Sequence, residues 1–229
     1  MELTLIGQST VLIKMSGLRM MTDPWWGQFE FLRGVPIAYN PETIDQLDLM
    51  LVSHNHIDHW CTPAIRLAKR LGTYVVGSNK SIKRARKHGL SQVLVMAPGD
   101  VHEYKGIKIH AVPARHPFAK DAVGFVVEGE KTFYFSGDTL YFPELEEALV
   151  RFSLDAALVQ VACSTYPVVG ADGMDLEQAA VLARRVNPKV TIPIHYQVKG
   201  KTIPEETLQA WNISTDLVVL KPGITQTLE

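Results

Sequence analysis

Short apolar or alternating runs, separated by turn residues, recur along the chain and predict β-strands. Near the N-terminus such runs lie close together, which indicates a strand meander over residues 2–22. The same pattern predicts further strands at residues 49–52, 74–76, 92–96, 101–104, 107–112, 122–128, 132–135, 155–162, 190–194, 217–220 and 224–228.

Helix-forming runs lie between several of the predicted strands. Thr62 is a good N-cap and Pro63 suits the first helical position. Gly72 then ends the predicted helix. Other helices are predicted from a Ser78 or Asn79 cap through Arg86 and Lys87, at 143–152, at 176–186 after an Asp175 cap, and near 205–211.

Length and composition suit one large hydrophobic core or two small ones. The chain has 229 residues, 46% of them hydrophobic, and no linker-like stretch, so one domain over residues 1–229 is expected. Lys plus Arg total 23 against 24 Asp plus Glu, so the chain has no overall positive charge that would favour binding of nucleic acid. The basic run at 80–87 is best explained as a solvated helix face, because no aromatic residues interleave with the charges. The nearly equal numbers of basic and acidic residues favour a small-molecule substrate over a polyanion.

Cysteine usage and the N-terminal sequence favour the cytoplasm. Cys61 and Cys163 form no CxxC pair, which fits a reducing compartment. Residues 1–7 show no basic segment followed by a long apolar core, so secretion is not expected. No apolar run approaches about 18 residues, so no membrane-spanning helix is predicted.

The densest cluster of metal-binding residue types follows the apolar run 49–52. It consists of His54, His56, Asp58 and His59. Side chains two apart on an extended segment point the same way, so His54 and His56 can bind one ion. Asp58 and His59 face that ion only if the chain bends, which the predicted helix start implies. Crowded ligand-type residues need a compensating charge, which favours a metal site over a solvated loop.

This His-x-His-x-Asp-His pattern resembles the signature of the metallo-β-lactamase superfamily. Later motifs resemble the family in the same order: His116 after one predicted strand, Asp138 at the end of another, and His195 after the strand at 190–194. His110 competes with His116, but it lies inside its predicted strand and not after its end. The resemblance extends from Gly7 to His195 and is greatest to the branch that contains ascorbate-phosphate lactonase and N-acylphosphatidylethanolamine-hydrolysing phospholipase D.

The resemblance implies an α/β (α+β) fold, a four-layer αβ/βα sandwich whose ligands gather at one edge between two sheets. It also implies seven ligands, which are too many for one tetrahedral zinc but suit two divalent metal ions sharing a carboxylate. By resemblance, His54, His56 and His116 hold the first ion, Asp58, His59 and His195 hold the second, and Asp138 bridges them. Nitrogen and oxygen ligands admit Zn, Mn or Fe, with zinc favoured by softness and affinity.

The chemistry implied by the resemblance is hydrolysis. A metal-bound hydroxide would attack a phosphodiester or a lactone or ester bond of a small substrate. Asp58 and Asp138 are the implied catalytic carboxylates, and Asp58 would orient the hydroxide or shuttle its proton.

Two residues near the N-terminus are candidates for supporting the ligands. Asp23 is expected to hold a ligand histidine in the right tautomer, and a turn aspartate before proline is the competing interpretation. Gln8 stands where many family members have histidine, which leaves the role of this position open.

Other residues are candidate substrate contacts. Trp25 and Trp26 begin an aromatic-rich stretch, residues 24–44, that is expected to form a lid or wall over the site. A plug of the core or a subunit contact is the alternative for this stretch. Tyr196 and Lys199 follow the last ligand, and for both Lys199 and Lys201 an exposed surface position is the alternative.

Three other functions stay open at this point. A nuclease of the tRNA-processing type is weakened by the neutral net charge. Oxygen-reducing diiron relatives carry a carboxylate where this chain has His56. A non-catalytic metal-binding or interaction module on the same fold is the third. A homo-oligomer is compatible with the sequence.

Overall fold

The computed structural model describes residues 1–200 and 202–229, so the predicted role of Lys201 lies outside the described residues. Its strands are β1 (Glu2–Gly7), β2 (Thr10–Met15), β3 (Leu18–Thr22), β4 (Leu49–Val52), β5 (Tyr74–Gly77), β6 (Val93–Val95), β7 (Val101–Tyr104), β8 (Ile107–Pro113), β9 (Val123–Glu128), β10 (Thr132–Phe135), β11 (Ala156–Gln160), β12 (Thr165–Tyr166), β13 (Gly170–Ala171), β14 (Val190–Ile194), β15 (Asp216–Leu217) and β16 (Thr225–Thr227). Its α-helices are α1 (Thr62–Leu71), α2 (Asn79–Lys87), α3 (Pro143–Leu149), α4 (Leu176–Val186) and α5 (Glu205–Gln209).

Most of these strands form two mixed sheets. Within the described part of the chain, the first sheet has the order β16-β1-β2-β3-β4-β5-β6 and the second has the order β15-β14-β11-β10-β9-β8-β7. Each sheet is antiparallel where the chain forms hairpins, and its parallel pairs are joined by longer connections, most of which contain an α-helix. Among the described residues, no helix is both long enough and apolar enough to cross a membrane.

Alternate side chains of β4 show how the sheets are layered. Leu49 and Leu51 belong to the large core that also contains side chains of the second sheet, such as Phe125. Met50 and Val52 belong to a separate core that contains residues of α1 and α2. Because successive side chains of a strand point to opposite faces, the first sheet is covered on both sides. The predicted αβ/βα sandwich is confirmed.

Several element boundaries differ from those predicted. The N-cap of α1 is Cys61 and not Thr62, since the Cys61 sulfur accepts a hydrogen bond from the Ala64 N–H at 3.4 Å. Gly72 ends α1 with a positive φ of 65°, as predicted. The β12–β13 hairpin was not predicted, because each of its strands has only two residues.

The stretch between β3 and β4 is an ordered loop with two 3₁₀ turns, Glu30–Leu32 and Pro41–Thr43. Trp25 and Trp26 are 0% and 3% exposed and pack in the core beneath α1. The expectation that these two tryptophans contact substrate is therefore wrong for this conformation. Burying two indole rings removes a large apolar area from water, so the plug of the core is the better interpretation for this part of the loop.

Candidate metal centre

Four strands end at one edge of the sandwich and bring ligand-type residues together there. In the second sheet β8, β10 and β14 run in the same direction, because β8 and β10 both pair antiparallel with β9 and β10 and β14 both pair parallel with β11. The end of β4 lies beside them, since the Val123 N–H donates to the Ser53 carbonyl at 3.1 Å. The segments that follow these strands carry His54, His56, Asp58, His59, His116, Asp138 and His195.

Three histidines form the first ligand group. The Nε2 atom of His54 lies 2.9 Å from the Nδ1 atom of His56, and the Nε2 atom of His116 lies 3.1 Å from the same atom. Ligand nitrogens about 2.0–2.1 Å from a tetrahedral zinc would stand about 3.4 Å apart. The group is therefore close to the size of a zinc site and slightly contracted. His110 is elsewhere, with its Nε2 atom 3.3 Å from a Glu128 oxygen.

Hydrogen bonds on the far side of two of these rings fix their orientation. The Nδ1 atom of His54 is 2.8 Å from the Ser53 hydroxyl. The Nδ1–H of His116 donates to the Asp172 carbonyl oxygen at 2.6 Å. Each partner leaves the Nε2 atom of its ring directed at the centre of the group, which is the arrangement that metal-binding histidines usually show.

Asp58, His59, His195 and Asp138 form a second group. The Nε2 atoms of His59 and His195 lie 3.1 and 3.2 Å from the same Asp138 oxygen, Oδ2. The same two nitrogens lie 3.6 and 3.8 Å from Oδ2 of Asp58. Asp58, His59 and His195 thus offer three ligand atoms within 4.8 Å of one another, with the Asp138 carboxylate against them.

Asp23 is fully buried and contacts the His59 ring on the side that faces away from the other ligand-type residues of the second group. Its Oδ2 atom is 2.7 Å from Nδ1 of His59 and accepts the Ser53 hydroxyl at 2.5 Å. Its Oδ1 atom accepts the Ser53 backbone N–H at 2.7 Å. Asp23, His54 and His59 also lie close enough to suggest an ion site. Because the Asp23 oxygens are already engaged, we interpret that third group as a hydrogen-bonded support.

Electrostatics distinguish the two groups. Burial lowers the pKa of His54 well below its usual value, and the neighbouring His59 lowers it further. Burial also lowers the pKa of His56, so both rings favour the neutral form that can bind a metal. Burial alone would lower the pKa of His59, but carboxylates led by Asp138 raise it well above its usual value. The carboxylates of the second group thus favour positive charge beside them, which protons on the histidines or a bound cation can supply.

Buried atoms without hydrogen bonds provide a test of whether cations fit. Among the described residues, Nε2 of His59 and Oδ1 of Asp138 are buried and have no hydrogen-bond partner. Such atoms are costly unless another group satisfies them. Both belong to the second group, and both are atom types that bind divalent cations. The residues therefore fit a metal centre.

Gln8 is a member of the site that the sequence left without a role. Its side-chain N–H donates to Oδ2 of Asp58 at 2.9 Å, and the same nitrogen is 2.9 Å from Nε2 of His195. The departure from the family's histidine was the only sequence signal at this position, and it did not reveal these contacts.

A cavity of about 220 Å³ opens over both groups. Phe118 and Tyr166 form an aromatic wall, with ring centroids 5.1 Å apart in an edge-to-face arrangement. The unpredicted β12–β13 hairpin delivers Tyr166 to this position. The lining includes three carboxylates and, among the described residues, no lysine or arginine. The lining residues are His56, Asp58, His116, Phe118, Asp138, Ala162, Cys163, Ser164, Tyr166, Asp172, His195 and Val198.

The candidate substrate contacts Tyr196 and Lys199 do not line this cavity. Tyr196 is buried, and its hydroxyl donates to the Leu220 carbonyl at 3.2 Å. The chain leaves the extended conformation at His195, whose φ is 61°, and Tyr196 then packs in the large core. Lys199 is exposed, and its backbone N–H donates to the Leu32 carbonyl at 2.8 Å. The expectation for Tyr196 is therefore wrong, and the substrate contact of Lys199 stays a prediction.

The chain is similar to known proteins over most of its length. A family model described as a β-lactamase superfamily domain matches residues 18–196. A UPF0173 metal-dependent hydrolase of Korarchaeum cryptofilum is 31% identical over 234 residues, which cover 97% of this chain and 97% of that protein.

Solved structures show the same fold. Igni18, a metallo hydrolase of Ignicoccus hospitalis, has a TM-score of 0.82 at 22% identity, covering 100% of this chain and 98% of its own. An isothiocyanate hydrolase from Delia radicum gut bacteria has a TM-score of 0.83 at 19% identity, covering 100% and 99%.

Proposed function

This chain is a metal-dependent hydrolase that belongs to the β-lactamase superfamily, and we propose that it uses two divalent cations to hydrolyse an uncharged ester or lactone carrying an apolar substituent. The observation that carries the proposal is the pair of ligand groups beneath one cavity. His54, His56 and His116 would hold one cation. Asp58, His59 and His195 would hold the other, with Asp138 between them.

The positions of Asp58 and Asp138 suggest a different role for each carboxylate. Two bound cations would lower the pKa of a coordinated water toward about 7 and would stabilise the negative charge that develops on the carbonyl oxygen when the carbonyl carbon is attacked. Asp58 has a side chain that is 26% exposed and lines the cavity, so it can receive a proton from an attacking water. Asp138 is 7% exposed, and its unpaired Oδ1 supports a bridging role.

The cavity wall supports an uncharged substrate over a phosphodiester. A phosphodiester keeps a negative charge that enzymes usually bind with arginine or lysine. The lining instead contributes Asp58, Asp138 and Asp172 as charged groups besides the histidines. Carboxylates repel an anion that is not directly bound to a cation. The same reasoning disfavours a polyanionic substrate such as a tRNA precursor.

The apolar part of the substrate would lie against the aromatic wall. Phe118 is 47% exposed and Tyr166 is 40% exposed, so both have ring surface to bury. Ala162 and Val198 extend the apolar lining. At about 220 Å³ the cavity is below the usual range for drug-sized ligands, which favours a compact substrate.

A substrate panel tests this proposal. The protein is freed of metal, reloaded with zinc or manganese, and assayed with an uncharged aryl ester, a lactone, an aryl phosphodiester and an aralkyl isothiocyanate. The isothiocyanate is included because a structural relative is named for that activity. We expect metal-dependent turnover of the ester or the lactone, at least about tenfold faster in kcat/KM than of the phosphodiester.

Variants distinguish catalysis at this centre from contamination. His59→Ala should abolish turnover while the fold is retained, and the exposed His88→Ala serves as the matched control. Preference for the phosphodiester would overturn the substrate class. Two bound ions with no turnover of any substrate in the panel would favour the non-catalytic module.

A further inference from the structure

Gln8 is held rigidly at the turn between β1 and β2. Its φ is 54°, and the β1–β2 register shifts between Leu5 and Gly7. The Gln8 backbone N–H donates to Oε1 of Gln197 at 3.1 Å, and its carbonyl accepts the His195 N–H at 3.0 Å. The residue is 0% exposed. These bonds tie Gln8 to the segment that carries a ligand of the second group.

The end of the Gln8 side chain occupies a ligand position in that group. Its Nε2 atom is 2.9 Å from both Oδ2 of Asp58 and Nε2 of His195, and those two atoms are 3.8 Å apart. Adjacent ligands of a six-coordinate ion with bonds of about 2.1 Å stand about 3.0 Å apart. The amide end therefore has the spacing of a neighbouring ligand.

Neither orientation of the amide is satisfied by protein atoms alone. As oriented here, Oε1 of Gln8 is buried and has no hydrogen-bond partner among the described residues. Once Nε2 of His195 binds a cation, its lone pair can no longer accept the amide N–H. Rotating the amide by about 180° would put its oxygen beside the Asp58 and His195 ligand atoms. The Gln8 oxygen, Oδ2 of Asp58 and Nε2 of His195 would then be three acceptor atoms at that spacing. Such an arrangement is stable only around a positive charge.

We propose that the side-chain oxygen of Gln8 is a ligand of the second cation, beside Asp58, His59 and His195. The inference rests on the proposed two-cation function. The competing interpretation is that Gln8 only donates a hydrogen bond to Asp58 and never contacts the ion.

Metal choice follows from the ligand set. The first group offers three imidazoles, which suit tetrahedral zinc. An amide oxygen added to carboxylates and two imidazoles gives the second group more oxygen ligands and a higher coordination number. Such a set favours manganese or iron relative to the first group. Gln8 would thus make the two positions unequal in metal preference.

Metal binding by variants tests the inference independently of activity. Metal-free wild type, Gln8→Leu, Gln8→Glu and Gln28→Leu are titrated with Mn²⁺, and bound ions per chain are measured by elemental analysis and electron paramagnetic resonance. Gln28→Leu is the matched control, because the Gln28 side chain accepts the Thr62 N–H and touches no ligand. The melting temperature of each metal-free protein reports the fold.

We expect two ions in wild type, Gln8→Glu and Gln28→Leu. Gln8→Leu should retain one ion and bind the second at least about 100-fold more weakly, with a larger loss for Mn²⁺ than for Zn²⁺. Two ions of unchanged affinity in Gln8→Leu would overturn the ligand role. A wild type that binds one ion would instead contradict the two-cation function itself.

A spectroscopic measurement covers the case in which Gln8→Leu does not fold. The side-chain amide signals of Gln8 are followed in wild type by nitrogen-15 NMR during addition of diamagnetic Zn²⁺. They should shift in step with occupancy of the second position, whereas the Gln28 amide signals should not. Gln8 signals unchanged at two bound ions would overturn the inference.

Discussion

Gly137 and Ser53 approach so closely that a Cβ atom at Gly137 would stand 2.3 Å from the Ser53 Cβ. Ser53 precedes the first histidine motif, and Gly137 precedes Asp138. This contact therefore joins the two sheets directly beside the ligand-type residues that follow β4 and β10. Gly137 also has a φ of 54°, a backbone conformation that destabilises residues other than glycine.

Gly137→Ala should destabilise the protein by about 2–4 kcal/mol, because it adds a clash to an unfavourable φ. Gly106→Ala is the matched control, since Gly106 has a φ of 85° but a Cβ atom added there would have no neighbour within 4 Å among the described residues. The control should lose only about 1 kcal/mol. Urea unfolding of both variants measures the difference, and equal losses would mean that the close approach to Ser53 is unimportant.

Asp23→Asn should weaken metal binding by about 10–100-fold, because the carboxylate orients the His59 ring and accepts two hydrogen bonds from Ser53. Competition with a chromophoric chelator measures the affinity. Asp45→Asn is the control, since the Asp45 side chain is 88% exposed and pairs with Arg19 away from the site. Unchanged affinity in Asp23→Asn would support the turn-residue interpretation of Asp23.

Trp25→Ala should lower the free energy of unfolding by about 3–5 kcal/mol, because the ring is fully buried beneath α1. Phe31→Ala should change it by less than about 0.5 kcal/mol, since Phe31 is 66% exposed. Guanidinium unfolding provides both values. A Trp25→Ala protein of normal stability with a raised KM would restore the lid hypothesis for this residue.

Phe118→Ala should raise KM for an apolar ester about tenfold and leave KM for a small polar ester nearly unchanged, because the lost ring surface would contact only the apolar substituent. Val168→Ala is the control, since Val168 lies at the tip of the β12–β13 hairpin and is 96% exposed. Steady-state kinetics with the two esters measure the effect. An equal loss for both esters would argue against an apolar wall.

The cluster from His54 to His59 was recognisable in the sequence because four ligand-type residues crowd together after an apolar run. The family resemblance identified the more distant ligand-type residues, and their positions after predicted strands supported that identification. His116 illustrates this, since its position after β8, and not inside it as for His110, brings it to the other histidines. The layered fold was expected from the family resemblance, and the uninterrupted apolar run of β4 agrees with it because both faces of that strand are covered.

Contacts between distant segments were not predictable from local patterns. The burial of Trp25 depends on how the loop before β4 packs against α1, and no periodicity in that loop records it. Tyr166 reaches the cavity through a hairpin whose strands are too short for a repeating pattern. The contacts of Gln8 depend on a register shift in β1 and β2 and on the loop after β14.

The most direct test of the two-cation account is a crystal of the metal-loaded protein measured with anomalous diffraction at the zinc and manganese absorption edges. The account predicts two anomalous peaks about 3.5–4 Å apart. One should lie within bonding distance of His54, His56 and His116, and the other should contact Asp58, His59 and His195. A single peak, or peaks away from these residues, would contradict it.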